Sequence, residues 1–328
     1  MEHEQNLAPE AGRQTAVPRV SVLLPVYNAF GTVAKAAQSV LAGNDVALEL
    51  IIIDDGSTDG TGEVVASIAR DPRVRLISHQ NMGLSASLNV GIEATSAPFI
   101  ARMDADDISA PGRLDSQLEF LDAHPDVVLV GGQIRRIVRG APESISDFPL
   151  DHRDIVKTLL RGQHAICHPS VMMRKSAVTA VGGYWDEGVS EDWDLFLRLS
   201  EVGQLANIDC HMYDYVFHET GINASAMEIV RTNIGLAICN HRRRARGLTE
   251  FKKEEYLANL RVWERVRIDA QTRSLRAYRQ SMLVGNTSEA ARRLLLIQAA
   301  LSWPPFAARR IASSISIPKL RASFPRRG

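Results

Sequence analysis

The sequence contains few cysteines and no cysteine pair. Cys167, Cys210 and Cys239 are odd in number, widely spaced and without a Cys-x-x-Cys pattern. This distribution argues against a disulfide framework and against a zinc site, and it fits the reducing conditions of a cytoplasm.

Long apolar runs and a secretion signal are also missing. No stretch reaches the roughly 20 apolar residues that a membrane-spanning helix needs, and the best candidate, 294–306, contains Pro304 and Pro305. Residues 1–17 lack the basic start and apolar run of a signal peptide, so we predict a disordered tail there. We expect a cytoplasmic protein whose membrane contact, if it has any, is peripheral on the inner face of the cell membrane.

The formal net charge is zero, but positive and negative residues are distributed unevenly along the chain. Residues 1–223 hold 17 Lys and Arg against 31 Asp and Glu, and residues 224–328 hold 21 against 7, so net charges of −14 and +14 cancel. This asymmetry predicts two regions with different roles, 18–223 and a basic region over 224–328. Because the remainder is acidic and no nucleic-acid reader motif is present, we expect no nucleic-acid partner.

Short apolar β-prone runs alternate with helical patterns over the first hundred residues, and a helix is predicted after Pro111. This alternation predicts an α/β fold with a mostly parallel sheet flanked by helices. Beyond Ala224 amphipathic, Arg-rich helices are predicted at 225–246, 251–284 and 287–301, and the last residues have the composition of an interfacial segment. The predicted strands are 20–25, 48–53, 74–78, 99–103, 126–131, 133–138 and 170–174, and the predicted helices of this part are 30–41, 61–69, 85–94, 151–160 and 191–203.

Polar residues follow three of the predicted strands. Tyr27 follows the first, Asp55 the second and Asp104 the fourth. Ligands of such sheets bind beyond the carboxyl ends of the strands, where the connecting loops converge. These positions therefore predict a binding site.

Asp104-Ala-Asp106-Asp107 is the most informative of these segments. Two carboxylates leaving one strand need a cation, and Mg²⁺ or Mn²⁺ is typically held by one or two carboxylates together with substrate phosphates. Such an ion neutralises the charge on a departing nucleotide diphosphate. An isolated Asp-x-Asp is more often a solvated acidic turn, and Asp107 can simply cap the following turn.

Two further segments are candidates for nucleotide contact. Asp55 can accept hydrogen bonds from a base or ribose, although helix capping explains part of the segment around it. Asn89, on the predicted helix 85–94, offers an amide group, although an ordinary loop-to-helix junction explains that region equally well.

Glu191 and Asp192 are the candidate catalytic pair. Displacement at an anomeric carbon requires the attacking hydroxyl to lose its proton, and a carboxylate can serve as that general base. The alternative is an acidic first helical turn favoured by the helix dipole. Two histidines, His168 and His218, can join a metal or contact a diphosphate, although most single histidines do neither.

Taken in order, five segments resemble the inverting family 2 glycosyltransferases of GT-A fold, in particular the bacterial enzymes that build cell-surface polysaccharides. The resemblance extends over about residues 18–222. It implies transfer of a sugar from a nucleotide-diphosphate sugar to a glycan or lipid-linked acceptor. The five segments are 20–28, 53–60, 81–92, 100–107 and 191–195.

The same resemblance implies roles for individual residues. Pro25, Tyr27 and Asp55 would hold the nucleotide, with Asp104 on ribose or metal and Asp106 on the metal. Asp192 would be the base. Arg113 and the segment 168–170 would line the cleft for the sugar donor or the acceptor. Many relatives have Tyr-Arg-x-His where this chain has Tyr-Val-Phe-His218. Because the arginine is missing, the resemblance leaves a phosphate contact at this position open. His218 is present and is a candidate metal ligand.

Two alternatives remain open. A nucleotidyltransferase that makes nucleotide sugars needs a Gly-rich loop with a basic residue after the first strand, and residues 26–31 contain neither Arg nor Lys. An inactive glycosyltransferase-like assembly protein would not need to keep Asp104, Asp106 and Asp192.

Overall fold

The computed structural model describes residues 17–138, 143–217, 227–284 and 288–304. The strands are β1 Val20–Val26, β2 Leu48–Asp54, β3 Val74–Ser78, β4 Phe99–Arg102, β5 Ile108–Ser109, β6 Val127–Val138, β7 Ser144–Ile145, β8 Met172–Arg174 and β9 Gln204–Phe217. The helices are α1 Val33–Leu41, α2 Thr61–Ile68, α3 Leu84–Ala94, α4 Arg113–Ala123, α5 His152–Leu159, α6 Lys175–Ala180, α7 Glu191–Leu199, α8 Met227–Arg244, α9 Lys253–Asn259, α10 Val262–Val284 and α11 Glu289–Ser302, with a 3₁₀ turn at His168–Ser170.

The strands form one mixed sheet in the order β3-β2-β1-β4-β8-β6-β9-β5, with β7 beside β6. The first four strands in this order are parallel, and β6 is parallel to β9. The short strand β8 runs antiparallel to both β4 and β6 and joins the two parallel groups. The expected α/β sheet, mostly parallel and flanked by helices, is confirmed.

Two apolar cores lie on the two faces of this sheet. Along β2, Leu50 and Ile52 face one core, while Ile51 and Ile53 face the other, as the period of a strand requires. Helix α1 packs into the first core and α3 into the second. Both faces of β1 and β2 are therefore buried, which explains why these strands are continuous apolar runs.

Strand β6 is continuous where two strands were predicted. Because Gly131 and Gly132 have no Cβ, β9 approaches them closely, and its pairing with β6 shifts register next to Gly132. A Cβ on Gly132 would lie 2.3 Å from Cγ of Met212, and one on Gly131 would lie 2.5 Å from Oδ1 of Asn207. Strand β9 itself was not predicted, although residues 206–212 alternate apolar and polar side chains, with the apolar ones at the first core.

The C-terminal helices begin against the sheet domain. Ile234 and Ala237 of α8 belong to the same apolar core as Trp193 and Phe196 of α7. The predicted helix 251–284 is divided into α9 and α10, because Leu260 is extended, with ψ 123°. None of the helices in the described ranges is both long enough and apolar enough to cross a membrane.

Candidate active site

The carboxyl ends of β1, β2 and β4 are adjacent. Val26 pairs with Asp54, and Leu23 pairs with Arg102, so the residues after these strands emerge at one edge of the sheet. Pro25 is buried within β1, whereas the Tyr27 side chain is 53% exposed beyond its end. This edge is the predicted site for a nucleotide.

Asp55 organises the loop that leads into α3. Its two carboxylate oxygens accept hydrogen bonds from the backbone N–H groups of Met82, at 2.7 Å, and Gly83, at 3.0 Å. His79 Nδ1 lies 3.4 Å from the same carboxylate. The carboxylate is therefore already engaged by the loop, and any contact with a nucleotide must be shared with these partners.

The three aspartates after β4 form one cluster. An oxygen from each of Asp104, Asp106 and Asp107 lies within 4.8 Å of the others. Asp104 and Asp106 are accessible, whereas Asp107 is 1% exposed. Three carboxylate oxygens at this spacing fit a hard divalent cation such as Mg²⁺ or Mn²⁺.

Asp107 is a further candidate ligand that sequence analysis treated only as a cap. Its Oδ1 accepts a hydrogen bond of 2.7 Å from Val216 N on β9, and the Tyr213 hydroxyl also acts on this carboxylate. Burial raises the pKa of Asp107 to about 8, and the charges of Asp104 and Asp106 act in the same direction. A cation beside the cluster would relieve this repulsion, which supports the fit of a metal here.

A buried guanidinium lies behind the cluster. Arg102 is 2% exposed, and its Nη1 contacts Asp104 Oδ1. Burial lowers the pKa of Arg102, but the charge of Asp104 outweighs it and the net pKa is raised. Tyr213 Oη accepts a 3.0 Å hydrogen bond from Asp104 N, which fixes the first residue of the cluster to β9.

The structure places Arg113 in the core instead of on the surface of the cleft. It is fully buried and donates to the carbonyl oxygens of Arg102, at 2.8 Å, and Val171, at 3.3 Å. Its guanidinium carbon lies 5.2 Å from the centre of the Tyr213 ring. Burial lowers the pKa of Arg113 to about 10. Arg113 therefore supports the strand before the acidic cluster.

Asn89 is likewise engaged within the protein. Its Nδ2 donates to Tyr184 O at 2.9 Å, and its Oδ1 accepts from Tyr184 N at 2.8 Å. Both ends of the amide are thus used to hold the segment before α7.

Glu191 and Asp192 begin α7 after Ser190, whose φ is +71°. Asp192 is partly exposed, and its Oδ1 accepts from Trp193 N at 2.8 Å. Burial raises the pKa of Asp192 to about 6, and the charge of Glu191 adds to this shift. A carboxylate with such a pKa can take up a proton near neutral pH.

Glu191 is 7% exposed, and His168 Nδ1 lies 3.4 Å from its Oε1. Burial raises the pKa of Glu191, but the hydrogen bond and charge of His168 outweigh it and the net pKa is lowered. The charge of Arg102 lowers the pKa of both Glu191 and Asp192. The pair and the acidic cluster thus share the charge of one guanidinium, because Arg102 also contacts Asp104.

His218 lies outside the described residues, so its part in metal binding stays a prediction. Arg102, Tyr184 and Tyr213 were not predicted as site residues. For Arg102 a signal existed, because an arginine inside an apolar strand directly before an acidic cluster needs a partner.

Comparison with known proteins places the chain in a family. The model of Glycosyl transferase family 2 matches residues 21–182. The putative glycosyltransferase EpsE of Bacillus subtilis is 34% identical over 202 residues, which cover 57% of this chain and 68% of that protein. The amylovoran biosynthesis glycosyltransferase AmsE of Erwinia amylovora is 31% identical over 163 residues, 49% of this chain and 61% of that protein. The chain belongs to glycosyl transferase family 2.

Solved structures share the fold. A mannosyltransferase from Pyrobaculum calidifontis in complex with GDP-Man and Mn²⁺ has a TM-score of 0.56 at 19% identity, covering 92% of this chain and 87% of that one. S. aureus TarS 1-349 in complex with UDP-GlcNAc has a TM-score of 0.53 at 17% identity, covering 90% and 91%. The family match includes the acidic cluster but ends before Glu191, so the role of α7 depends on its geometry.

Proposed function

We propose that this chain is an inverting, metal-dependent glycosyltransferase. It transfers a sugar from a nucleotide-diphosphate sugar to a glycan or lipid-linked acceptor in the synthesis of a surface polysaccharide. The observation that carries this proposal is one buried guanidinium, that of Arg102, shared by two groups with complementary roles. A three-carboxylate cluster and a carboxylate with a pKa of about 6 are both under the influence of Arg102.

The sugar donor lies across the carboxyl ends of β1, β2 and β4. The nucleotide contacts Tyr27, with Pro25 beneath it, and the loop that Asp55 holds. Asp106 and Asp104 would hold Mg²⁺ or Mn²⁺, with Asp107 as the buried third carboxylate and His218 as a further predicted ligand, and Asp104 would contact ribose or metal. When bound, the ion neutralises charge on the departing nucleotide diphosphate.

Asp192 accepts the proton of the attacking acceptor hydroxyl. A general base is efficient when its pKa is close to the working pH, and burial brings Asp192 toward that range. A single in-line displacement from the face opposite the leaving group inverts the anomeric configuration. Retention of configuration in the product would overturn this assignment.

The relatives support the choice of sugar donor and acceptor. The names of AmsE and of the Escherichia coli chondroitin synthase, which is 28% identical over 271 residues, concern polysaccharide synthesis. This chain covers only 38% of that synthase. One structural neighbour holds GDP-Man with Mn²⁺, and another holds UDP-GlcNAc. The test should therefore include both GDP-sugars and UDP-sugars.

A panel of nucleotide sugars tests the proposal. The purified protein should be stabilised against thermal unfolding by one of them in the presence of Mn²⁺, and should hydrolyse or transfer from it. EDTA should abolish turnover, and added Mn²⁺ should restore it. Undiminished turnover in EDTA excludes the metal role, and the absence of turnover with every sugar and acceptor favours an inactive assembly protein. Formation of a nucleotide sugar and pyrophosphate from a nucleoside triphosphate and a sugar phosphate would identify a nucleotidyltransferase.

We also propose that α11 contacts an anionic membrane surface. Leu294, Ile297 and Leu301 are 67%, 55% and 79% exposed, and their spacing places them on one face of the helix. Arg273 and Arg293 are exposed on the same hairpin, at 61% and 74%, and pair with Asp269 and Glu289. An apolar stripe on a region whose net charge is +14 matches lipid with negative headgroups.

Vesicle sedimentation tests this contact. The protein should bind phosphatidylcholine vesicles that contain phosphatidylglycerol, and Leu301→Asp should weaken binding. Val202→Asp, at a 54% exposed position on the sheet domain, should not. Equal binding by the Leu301→Asp variant overturns the assignment, as does a dimer that dissociates on this substitution.

A further inference from the structure

A continuous chain of polar side chains ends next to Asp192: Tyr184 contacts His168, and His168 contacts Glu191. Nε2 of His168 lies 2.7 Å from Tyr184 Oη, and Nδ1 lies 3.4 Å from Glu191 Oε1. Tyr184, His168 and Glu191 are 4%, 8% and 7% exposed. The His168 ring also meets the Phe196 ring edge-on, at 6.0 Å between centres. The imidazole is therefore fixed between two partners in a dry environment.

The contacts of this chain are mutually compatible. Burial raises the pKa of Tyr184, so its hydroxyl stays protonated and can either donate to His168 Nε2 or accept from it. His168 Nδ1 faces the Glu191 carboxylate, which can only accept, so a proton on Nδ1 is directed at Glu191. Glu191 thus accepts from His168, whereas among the described residues Asp192 accepts a hydrogen bond from the backbone N–H of Trp193.

Tyr184 is fixed from the opposite side by α3. The two hydrogen bonds between the Asn89 amide and the Tyr184 backbone leave no room beside them. Gly183 has φ +71°, and a Cβ there would lie 2.6 Å from Asn89 Oδ1. Because Asp55 holds the residues that precede α3, a connected set of contacts runs from the predicted nucleotide loop to the start of α7.

We propose that Tyr184, His168 and Glu191 are positioning residues that hold Asp192 toward the acceptor hydroxyl, and that Glu191 is not a second base. This inference depends on the proposed function, in which Asp192 is the base. It assigns Asn89 to the same support instead of to the nucleotide.

The charges around Asp192 give the inference a measurable sign. Burial and the Glu191 carboxylate raise the pKa of Asp192, whereas His168 and Arg102 lower it. Glu191→Gln removes the negative charge but keeps an oxygen that can accept from His168. The pKa of Asp192 should fall, so the acidic limb of the pH profile of kcat/KM should move to lower pH while transfer is retained.

Tyr184→Phe tests the other end of the chain. It leaves His168 Nε2 buried without its partner, and we expect kcat to fall about tenfold, as loss of one buried hydrogen bond allows. The KM for the sugar donor should not change. Tyr256→Phe, a substitution at a 7% exposed tyrosine in the C-terminal helices, is the matched control and should leave both constants unchanged.

The outcomes separate this inference from the proposed function. If Glu191→Gln abolishes transfer as completely as Asp192→Asn, Glu191 itself reacts and the positioning role is excluded. An unchanged kcat in Tyr184→Phe, or an acidic limb that does not move in Glu191→Gln, also excludes it. If Asp192→Asn retains transfer, the base assignment of the proposed function fails instead. Should Tyr184→Phe not fold, as circular dichroism would reveal, the pH profile of Glu191→Gln decides alone.

Discussion

The acidic cluster after β4 and the start of α7 are built in opposite ways. The cluster consists of Asp104, Asp106 and Asp107, contiguous in sequence and partly open to solvent. The start of α7 has a buried network whose contacting pairs lie 16 to 95 residues apart along the chain. Both halves contain a carboxylate whose pKa is raised by burial, Asp107 in the cluster and Asp192 in α7, so they differ in how far apart along the chain the side chains that form each half lie. The two halves therefore differ in what sequence can reveal about them.

Removing a cluster carboxylate should have the largest effect. Asp106→Asn deletes one charged ligand, and we expect Mn²⁺-dependent transfer to fall at least about a hundredfold, a loss similar to that of a catalytic group. Asp122→Asn, which breaks an exposed ion pair with Arg19, is the matched control and should retain activity. Steady-state rates over a range of Mn²⁺ concentrations make the measurement. Equal activity of the Asp106 and Asp122 variants would remove Asp106 from the metal site.

The pH dependence of kcat/KM should reveal the ionisation of Asp192 at the start of α7. Because Asp192 must be ionised to accept a proton, kcat/KM should be constant above its pKa of about 6 and fall as pH decreases through it. Below that pH the rate should drop about tenfold per unit. The stability effect has the opposite sign. A raised pKa favours the folded state at low pH, and this contribution is lost as pH rises through about 6.

The smallest effect on catalysis should come from Arg113. Arg113→Lys loses hydrogen bonds to the Arg102 and Val171 carbonyl groups, and the free energy of unfolding should fall by about 1–3 kcal/mol. Urea unfolding measures this loss. Affinity for the sugar donor should be retained, because the guanidinium is fully buried. If Arg113→Lys loses affinity for the sugar donor without a loss in the free energy of unfolding, the original prediction that Arg113 lines the cleft would be supported instead.

The same contrast explains how much could be predicted from sequence. The strands β1 to β4 and the acidic cluster follow from local patterns, since apolar runs and the residues after them are contiguous. Arg113 and Asn89 are polar residues near the site, but sequence does not say which way a side chain points: Arg113 is buried in the core, and Asn89 bonds to the backbone of Tyr184.

The remainder depends on tertiary contacts. Strand β9 has a local signal, since apolar and polar residues alternate over 206–212, but that signal does not reveal which strand it pairs with. It nevertheless delivers Tyr213 and Val216 N to the acidic cluster. Tyr184 reaches His168 only through the fold, and no local spacing indicates that contact.

The most direct measurement compares transfer with binding of the sugar donor in Asp192→Asn. The substitution removes the base and leaves the acidic cluster intact, so transfer should fall by about 10²–10⁴-fold. Calorimetric affinity for the nucleotide sugar with Mn²⁺ should stay close to that of the unsubstituted protein. Transfer that persists in this variant, or donor binding that is lost together with transfer, would contradict the assignment of Asp192 as the base.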